Sequence, residues 1–208
     1  LHADQIKWTT HFPIKELVNL GYLSNKNSKI EQLIELLSFF GFSDVKAWEN
    51  YYLKQKLKVN FSISLLDYPN PYLIATWLRM GDIQASDCLM NTYVAGQFKN
   101  TLQSIAAQKT KISFEQLQQL CARTGVNLVN TLPLKDLNVK GATRWINNLP
   151  LIQIAVDFHS PDFWPTFFHE AAHILLHGKK EIFLEHLNNS LKNCDKEQEA
   201  DDLAKKYL

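Results

Sequence analysis

Cysteine is scarce in this chain of 208 residues, and the three that occur, Cys88, Cys121 and Cys194, lie far apart. Their odd number and the lack of any C-x-x-C pair leave neither a disulfide framework nor a cysteine-based zinc site to be read from the sequence. We therefore expect reduced thiols and a cytoplasmic location for the protein.

The chain also lacks an excess of charge of either sign, because 22 Lys and Arg residues are balanced by 21 Asp and Glu residues. A formal net charge of +1 does not fit a dedicated nucleic-acid binder. No apolar run approaches the ~20 residues that span a bilayer, and no signal peptide opens the chain, so we expect no membrane association. Since the chain begins at Leu1 without Met, we expect it to be a fragment.

What is present is an ordinary globular composition, with 46% hydrophobic and 21% charged residues, which excludes disorder, collagen and coiled coil. The hydrophobic pattern is helical up to about residue 110 and then alternates between short β-branched segments and helices. We therefore predict an α+β protein, with a helical N-terminal or linker region over 1–110 and a second domain over 111–208. Predicted helices span 13–20, 28–40, 43–51, 72–79, 83–102, 113–123, 162–176 and 196–208, and predicted strands span 126–132, 142–146 and 151–157.

One motif carries chemistry: residues 169–173 read H-E-A-A-H within a predicted apolar helix. At 100° per residue, His169 and His173 lie about 40° apart on one helix face, so both imidazoles can reach one metal ion. Zinc suits imidazole nitrogen in a tetrahedral site. Glu170 lies on the adjacent flank, where its carboxylate can take a proton from a water at the metal.

A catalytic zinc site needs a third protein ligand from elsewhere in the chain. The metzincin extension is excluded, because it requires Gly and His where this chain has Leu176 and Lys179. Glu197 and Asp201 share a helix face, so Glu197 could bind zinc while Asp201 hydrogen-bonds a ligand histidine. Glu199 is the alternative third ligand. Because it points ~200° away from Glu197 on the same helix, the two glutamates cannot both bind the metal.

Other polar residues lie near the motif in sequence. His177 follows His173 by four residues and could reach the site from outside the ligand set, or it could simply end the helix before Gly178. His159 and Asp157, after the last predicted strand, could also border the cleft.

The chain resembles the ImmA/IrrE metallopeptidases, which are compact zincins with a glutamate as third ligand. The resemblance is carried by residues 162–164, 168–177, 197–201 and Ala204. Residues 141–145 and 151–154 are similar to the strand segment that precedes the helix in that family. Residues 12–17 and 75–79 are similar to the middle region of the subtype that carries an N-terminal HigA-type antitoxin helix-turn-helix. In this chain that DNA-binding segment would precede residue 1.

The resemblance implies a zincin-like (minigluzincin) domain with a three-stranded or larger mixed sheet. It implies Zn²⁺ bound by His169, His173 and Glu197. Glu170 matches the general base, and Asp201 falls where the family has Asn or Asp. Members of the family act on transcriptional repressors, and some are encoded in toxin–antitoxin operons.

These observations lead to two main hypotheses, beside a third in which the same zincin site hydrolyses small peptides or amides. The first is a zinc-dependent endopeptidase that cleaves or regulates a repressor or antitoxin, with the substrate chain added to an edge strand formed by residues 151–157. The second is a transcriptional regulator whose zinc domain is structural or sensory, with residues 1–110 making homodimer or partner contacts. A complete H-E-x-x-H favours the enzyme, because a structural site needs no glutamate at that position.

Overall fold

Helices precede the strands in the computed structural model of this chain, which describes residues 2–56, 70–86, 91–177, 183–186 and 194–208. The α-helices are α1 (His2–Thr9), α2 (Ile14–Asn19), α3 (Lys29–Phe40), α4 (Val45–Glu49), α5 (Pro71–Ser86), α6 (Ala95–Gln108), α7 (Phe114–Arg123), α8 (Phe163–Leu176) and α9 (Cys194–Ala204), and Asn50–Lys56 form a π-helix. The strands are β1 (Asn127–Asn130), β2 (Val139–Ile146), β3 (Leu149–Ile154) and β4 (Phe183–His186). The predicted α+β class is confirmed.

Local capping explains where two predicted helices begin and end. The Ser28 hydroxyl accepts a hydrogen bond from a backbone N–H in the first turn of α3, and Gly41 ends the helix in the left-handed conformation at φ 77°. Before α7, Ser113 and Gln116 form the predicted capping box, each side chain bonding the backbone of the other residue. Both helices could therefore be placed from the sequence to within a residue or two.

The prediction of one helix over 83–102 was wrong. The helix α5 ends at Ser86, residues 91–94 are not helical, and α6 begins at Ala95. Instead, the backbone N–H of Asn91 donates to the carbonyl of Ala122 at 3.3 Å, and its side-chain amide donates to Arg123 at 2.9 Å. These bonds to the end of α7 replace the helical bonds that the apolar spacing alone suggested.

The chain forms two compact units. The first contains Leu1–Met80 and Leu134–Leu137, and the second contains Gly81–Pro133 and Asn138–Leu208. The division predicted near residue 110 came from the change in hydrophobic period, whereas the contacts divide the chain at residue 80, within α5.

The first unit is built around aromatic rings. Trp48 is fully buried and stacks on Tyr72 with 5.4 Å between ring centroids and 4° between ring planes. Trp8, Phe12 and Phe40 contact it edge-on. The high aromatic content of the N-terminal half therefore fills the core of this unit.

The second unit contains a four-stranded mixed sheet in the order β1-β3-β2-β4. The strands β1 and β3 are parallel, and β2 is antiparallel to both β3 and β4. The sequence predicted three of these strands and missed β4. The prediction that residues 151–157 form an edge strand was wrong, because 151–154 lie in β3, and β3 is paired on both sides.

The two faces of the sheet differ because successive side chains alternate between them. On one face, Leu128, Ile152 and Ile154 join the apolar residues of α6, α7 and α8 in the main core cluster of the unit. On the other face, the buried Arg144 guanidinium contacts the Asp82 carboxylate of α5 at 2.6 and 3.0 Å. The apolar face therefore supports α8, which carries the H-E-A-A-H motif.

No helix in the described part of the chain combines the length and the apolar character needed to cross a membrane.

Candidate metal centre

The helix α8 is buried on nearly all sides, which makes its polar residues notable. Phe163, Phe167 and Ala171 are completely buried in the core. His169, Glu170 and His173 lie in the same helix and are 4%, 0% and 1% exposed. Burying such groups is costly unless partners or a metal ion stabilise them.

The structure brings His169, His173 and Glu197 together, as predicted. The Nε2 atoms of the two histidines lie 3.0 Å apart. One Glu197 oxygen lies 3.2 Å from Nε2 of His169, and the other lies 3.6 Å from Nε2 of His173. The Glu197 side chain is only 12% exposed. One ligand atom from each residue thus converges on a common point, and the triad could hold a metal ion.

The spacing of these atoms can be compared with what zinc requires. Zinc–nitrogen and zinc–oxygen bonds of ~2.0–2.1 Å in a tetrahedron place neighbouring ligand atoms about 3.3–3.4 Å apart. The two Nε2 atoms lie 3.0 Å apart, and each has a Glu197 oxygen near that spacing, one at 3.2 Å and the other, a different oxygen, at 3.6 Å. Two imidazoles and one carboxylate are also a donor set that zinc accepts while keeping an open position. The residues present therefore fit zinc.

The helix α9 carries Glu197 and also Asp201, which hydrogen-bonds the ring of His169. Glu197 and Asp201 are four residues apart on one face of α9, and an Asp201 oxygen accepts a hydrogen bond from Nδ1 of His169 at 2.8 Å. With the hydrogen on Nδ1, Nε2 of His169 carries the lone pair that a metal needs. Glu199 is not in the cluster: its side chain is 63% exposed and lies 4.0 Å from Nδ1 of His177.

His177 joins the end of α8 to the start of α9. It caps α8, and its side chain is 2% exposed. Its Nε2 lies 3.1 Å from the backbone carbonyl of Lys196, and because a carbonyl only accepts, Nε2 carries the hydrogen. This bond lies next to Glu197 in sequence. His177 is not a member of the cluster, but its ring lies 5.1 Å from the ring of His173, and its hydrogen bond to Lys196 links the end of α8 to α9.

Phe183 is a site residue that the sequence reasoning missed. Its ring stacks on His173 with 4.0 Å between centroids and 14° between planes, and it is 7% exposed. The ring also lies 5.0 Å from His177 and 5.9 Å from the Lys196 ammonium. Phe183 opens the short strand β4, and no motif or spacing links it to the histidines in the sequence.

Glu170 follows His169 directly in α8 and is not a member of the cluster formed by His169, His173 and Glu197. Its side chain is completely buried against β2, and its backbone carbonyl accepts a hydrogen bond from the Thr143 hydroxyl at 2.9 Å. A carboxylate placed next to a metal site, without binding the metal, can act on protons there.

The sequence also suggests Asp157 and His159 for the border of a cleft. Asp157 and His159 are exposed in the loop after β3, where an Asp157 oxygen accepts a hydrogen bond from the His159 backbone N–H at 2.9 Å. Neither belongs to the ligand cluster.

Comparison of the chain with models of protein families, with curated proteins and with solved structures found no match.

Proposed function

We propose that this protein is a zinc-dependent endopeptidase with the site organisation of the ImmA/IrrE metallopeptidases. The observation that carries the proposal is that ligand atoms of His169, His173 and Glu197, one from each residue, all lie within 4.8 Å of one another. A fourth, non-ligating carboxylate, Glu170, follows the first ligand directly in the same helix. The mixed sheet and the paired helices α8 and α9 support a zincin-like domain.

Each residue of the site has a separate role in the proposed hydrolysis of a peptide bond. His169, His173 and Glu197 would hold Zn²⁺, which when bound would polarise the scissile carbonyl and lower the pKa of the attacking water. Glu170 takes one proton from that water as its oxygen bonds to the carbonyl carbon. When the carbon–nitrogen bond breaks, the Glu170 carboxyl passes the proton to the leaving amine. Asp201 keeps His169 in the tautomer and orientation that the site requires.

The first test is metal content. We expect about one zinc per chain by elemental analysis of tag-free protein purified without added metal. A value near zero that added zinc cannot restore would overturn the proposal. Glu197→Ala should lose most of the zinc, whereas Glu199→Ala, a matched control two residues away, should keep it. Loss of zinc in the Glu199 variant instead would contradict the ligand assignment.

The second test separates the base from the ligands. Glu170→Gln removes the proton acceptor but preserves the shape of the side chain. It should retain zinc at the wild-type stoichiometry and lose cleavage by about 10²–10⁴-fold. Cleavage at the wild-type rate would exclude Glu170 as the base.

The substrate we propose is a transcriptional repressor or antitoxin in the cytoplasm. This part of the proposal rests on the sequence resemblance. Incubation of the zinc-loaded protein with the repressor or antitoxin encoded beside its gene, followed by mass spectrometry of the fragments, would test it. Cleavage by wild type but not by Glu170→Gln is the expected result.

A zinc-containing regulatory module with little peptidase activity is the second candidate. The observation that favours it is burial, since His169, Glu170 and His173 are each at most 4% exposed. A structural site tolerates such burial, whereas a protease must admit a peptide to its metal. One zinc per chain with no cleavage of any candidate repressor would favour this second function.

A further inference from the structure

Gly141 lies directly beneath the Glu170 side chain. Gly141 belongs to β2, on the face of the sheet that meets α8. A Cβ atom at this position would lie 2.6 Å from Oε1 of Glu170, 2.9 Å from its Cγ and 3.0 Å from Cγ2 of Thr166. Cβ contacts below 3.0 Å require a neighbouring atom to shift, so the Glu170 carboxylate as it lies here occupies space that the glycine leaves open.

The constraint at Gly141 comes from the neighbouring side chain and not from its own backbone. Its φ lies outside the left-handed region that favours glycine. The strand also cannot withdraw easily, because Gly141 pairs with Ile154 of β3 on one side and Glu185 of β4 on the other. With β2 held between two strands, an added Cβ would have to displace the Glu170 carboxyl group.

A second contact from β2 fixes the backbone of the same residue. Thr143, two residues further along the same face, donates its hydroxyl hydrogen to the Glu170 carbonyl at 2.9 Å and is 1% exposed. The strand therefore contacts Glu170 at its carbonyl through Thr143 and at its carboxylate through Gly141.

We infer that Gly141 is a positioning residue for the general base, whose missing side chain sets where the Glu170 carboxylate lies. The inference rests on the proposed peptidase function, because it assigns Glu170 the role of base. It adds to that function a residue of the sheet, Gly141 in β2, which lies 29 residues before Glu170 in the sequence.

Displacing the Glu170 carboxylate should affect the rate of cleavage but not zinc binding, whereas a defect in folding would reduce both. Neither Gly141 nor Thr143 belongs to the ligand cluster of His169, His173 and Glu197. Displacing the base should therefore reduce the rate of cleavage and leave zinc binding intact. General damage to the domain would reduce both.

The test is Gly141→Ala in the zinc-loaded protein, with fluorescein-labelled casein or a cleaved repressor as substrate. We expect kcat to fall about a hundredfold, the loss typical of a catalytic group displaced by ~1 Å. KM should stay within about twofold of wild type and zinc content should stay near one per chain. Wild-type kcat in the folded, zinc-loaded variant would overturn the inference.

Two other glycines provide matched controls. A Cβ at Gly81 would lie 2.2 Å from the Gln153 side chain, on the opposite face of the same sheet, and one at Gly96 would meet nothing within 4 Å. Gly81→Ala should destabilise the fold but leave kcat per folded, zinc-loaded molecule unchanged. Gly96→Ala should change neither. A hundredfold loss of kcat in Gly81→Ala would show that any clash at the sheet has this effect, and would overturn the inference.

A double-mutant cycle tests the contact without any substrate. Glu170→Ala removes the atoms that the new Cβ would meet at 2.6 and 2.9 Å. Gly141→Ala should therefore lower the urea midpoint of unfolding in the wild type and lower it much less in Glu170→Ala. Equal shifts in both backgrounds would show no coupling and would overturn the inference.

The outcomes also distinguish this inference from the proposed function. If Gly141→Ala retains full activity while Glu170→Gln is inactive, the peptidase proposal stands and the role of Gly141 is wrong. If Glu170→Gln remains active, the base assignment fails whatever Gly141→Ala does.

Discussion

The carboxylate of Asp201 accepts a hydrogen bond from Nδ1 of His169 at 2.8 Å, from the same face of α9 that presents Glu197 to Nε2 of that imidazole. One helix thus contacts both nitrogens of a single histidine. This arrangement fixes the ring and directs its second nitrogen toward the other ligand atoms.

Removing the Asp201 carboxylate should weaken metal binding without removing a ligand. We expect Asp201→Ala to lower zinc affinity about 10–100-fold, because a ligand histidine loses the partner that sets its tautomer. Asp201→Asn should have a smaller effect, since its amide oxygen can still accept from Nδ1. Competition titration with a chromophoric chelator measures both. Asp202→Ala, which alters the neighbouring exposed side chain, should match the wild type; equal losses at 201 and 202 would contradict this prediction.

The ring of Phe183 should contribute to zinc affinity through its contact with His173. Phe183→Leu keeps an apolar side chain but removes the stacked ring, which is worth ~0.5–1.5 kcal/mol. We expect zinc to bind roughly three- to tenfold more weakly, measured by the same chelator competition. Phe163→Leu removes another buried ring of the same unit, whose ring contacts are with Phe114, Phe158, Trp164 and Phe167. Its folded form should bind zinc like the wild type, and a comparable loss there would point to general destabilisation.

Loss of the ion pair between Asp82 and Arg144 should lower the stability of the fold independently of metal binding. Arg144 is 1% exposed and Asp82 14%, so Asp82→Ala leaves a buried guanidinium without its carboxylate. We expect a loss of about 3–5 kcal/mol in the free energy of unfolding, measured with urea. Asp82→Ala combined with Arg144→Met should recover most of that loss, because the uncompensated charge is then gone. No recovery in the double variant would refute the electrostatic explanation.

Cys121 should be unreactive in the folded protein. It is completely buried, and burial raises the pKa of its thiol to about 12, compared with 9.0 for an unperturbed cysteine. In a Cys88→Ser, Cys194→Ser variant, iodoacetamide at pH 8 should modify Cys121 at least ~100-fold more slowly in buffer than in urea, because the thiolate is the reactive form. Equal rates would show that the thiol is accessible.

The same shift has a consequence for stability at high pH. Because the folded-state pKa is raised, the unfolded chain loses its thiol proton first, from about pH 9 upward. The contribution of Cys121 to stability is therefore complete below pH 9 and declines as the pH rises toward 12. Urea unfolding between pH 8 and 10.5 should show a smaller decline for Cys121→Ala than for the wild type.

The spacing of residues in the sequence was sufficient to predict those parts of the fold and of the site that lie within single helices. The four-residue repeats that place His169 beside His173, and Glu197 beside Asp201, follow from helix geometry alone. The capping box at Ser113 is equally local. The ordering of the strands was not accessible in this way, because pairing depends on residues far apart in sequence.

The errors arose where long-range contacts decide the structure. Residues 151–154 have the composition of a strand, but only the pairings with β1 and β2 show that this strand is central. The strand β4 has four residues, too few for a clear alternating pattern. The contacts of Phe183 with His173 and of Gly141 with Glu170 depend on the register of those strands and were invisible for the same reason.

The separation of the candidate ligands along the chain has a thermodynamic consequence. Glu197 follows His173 by 24 residues, so an ion held by both would act as a cross-link that closes the intervening chain and fastens α9 to α8. Such a link disappears in the unfolded chain, and the ion then stabilises the folded form by mass action, about 2.7 kcal/mol at a free concentration of 100 times Kd. The melting temperature of this protein would then report the zinc concentration around it.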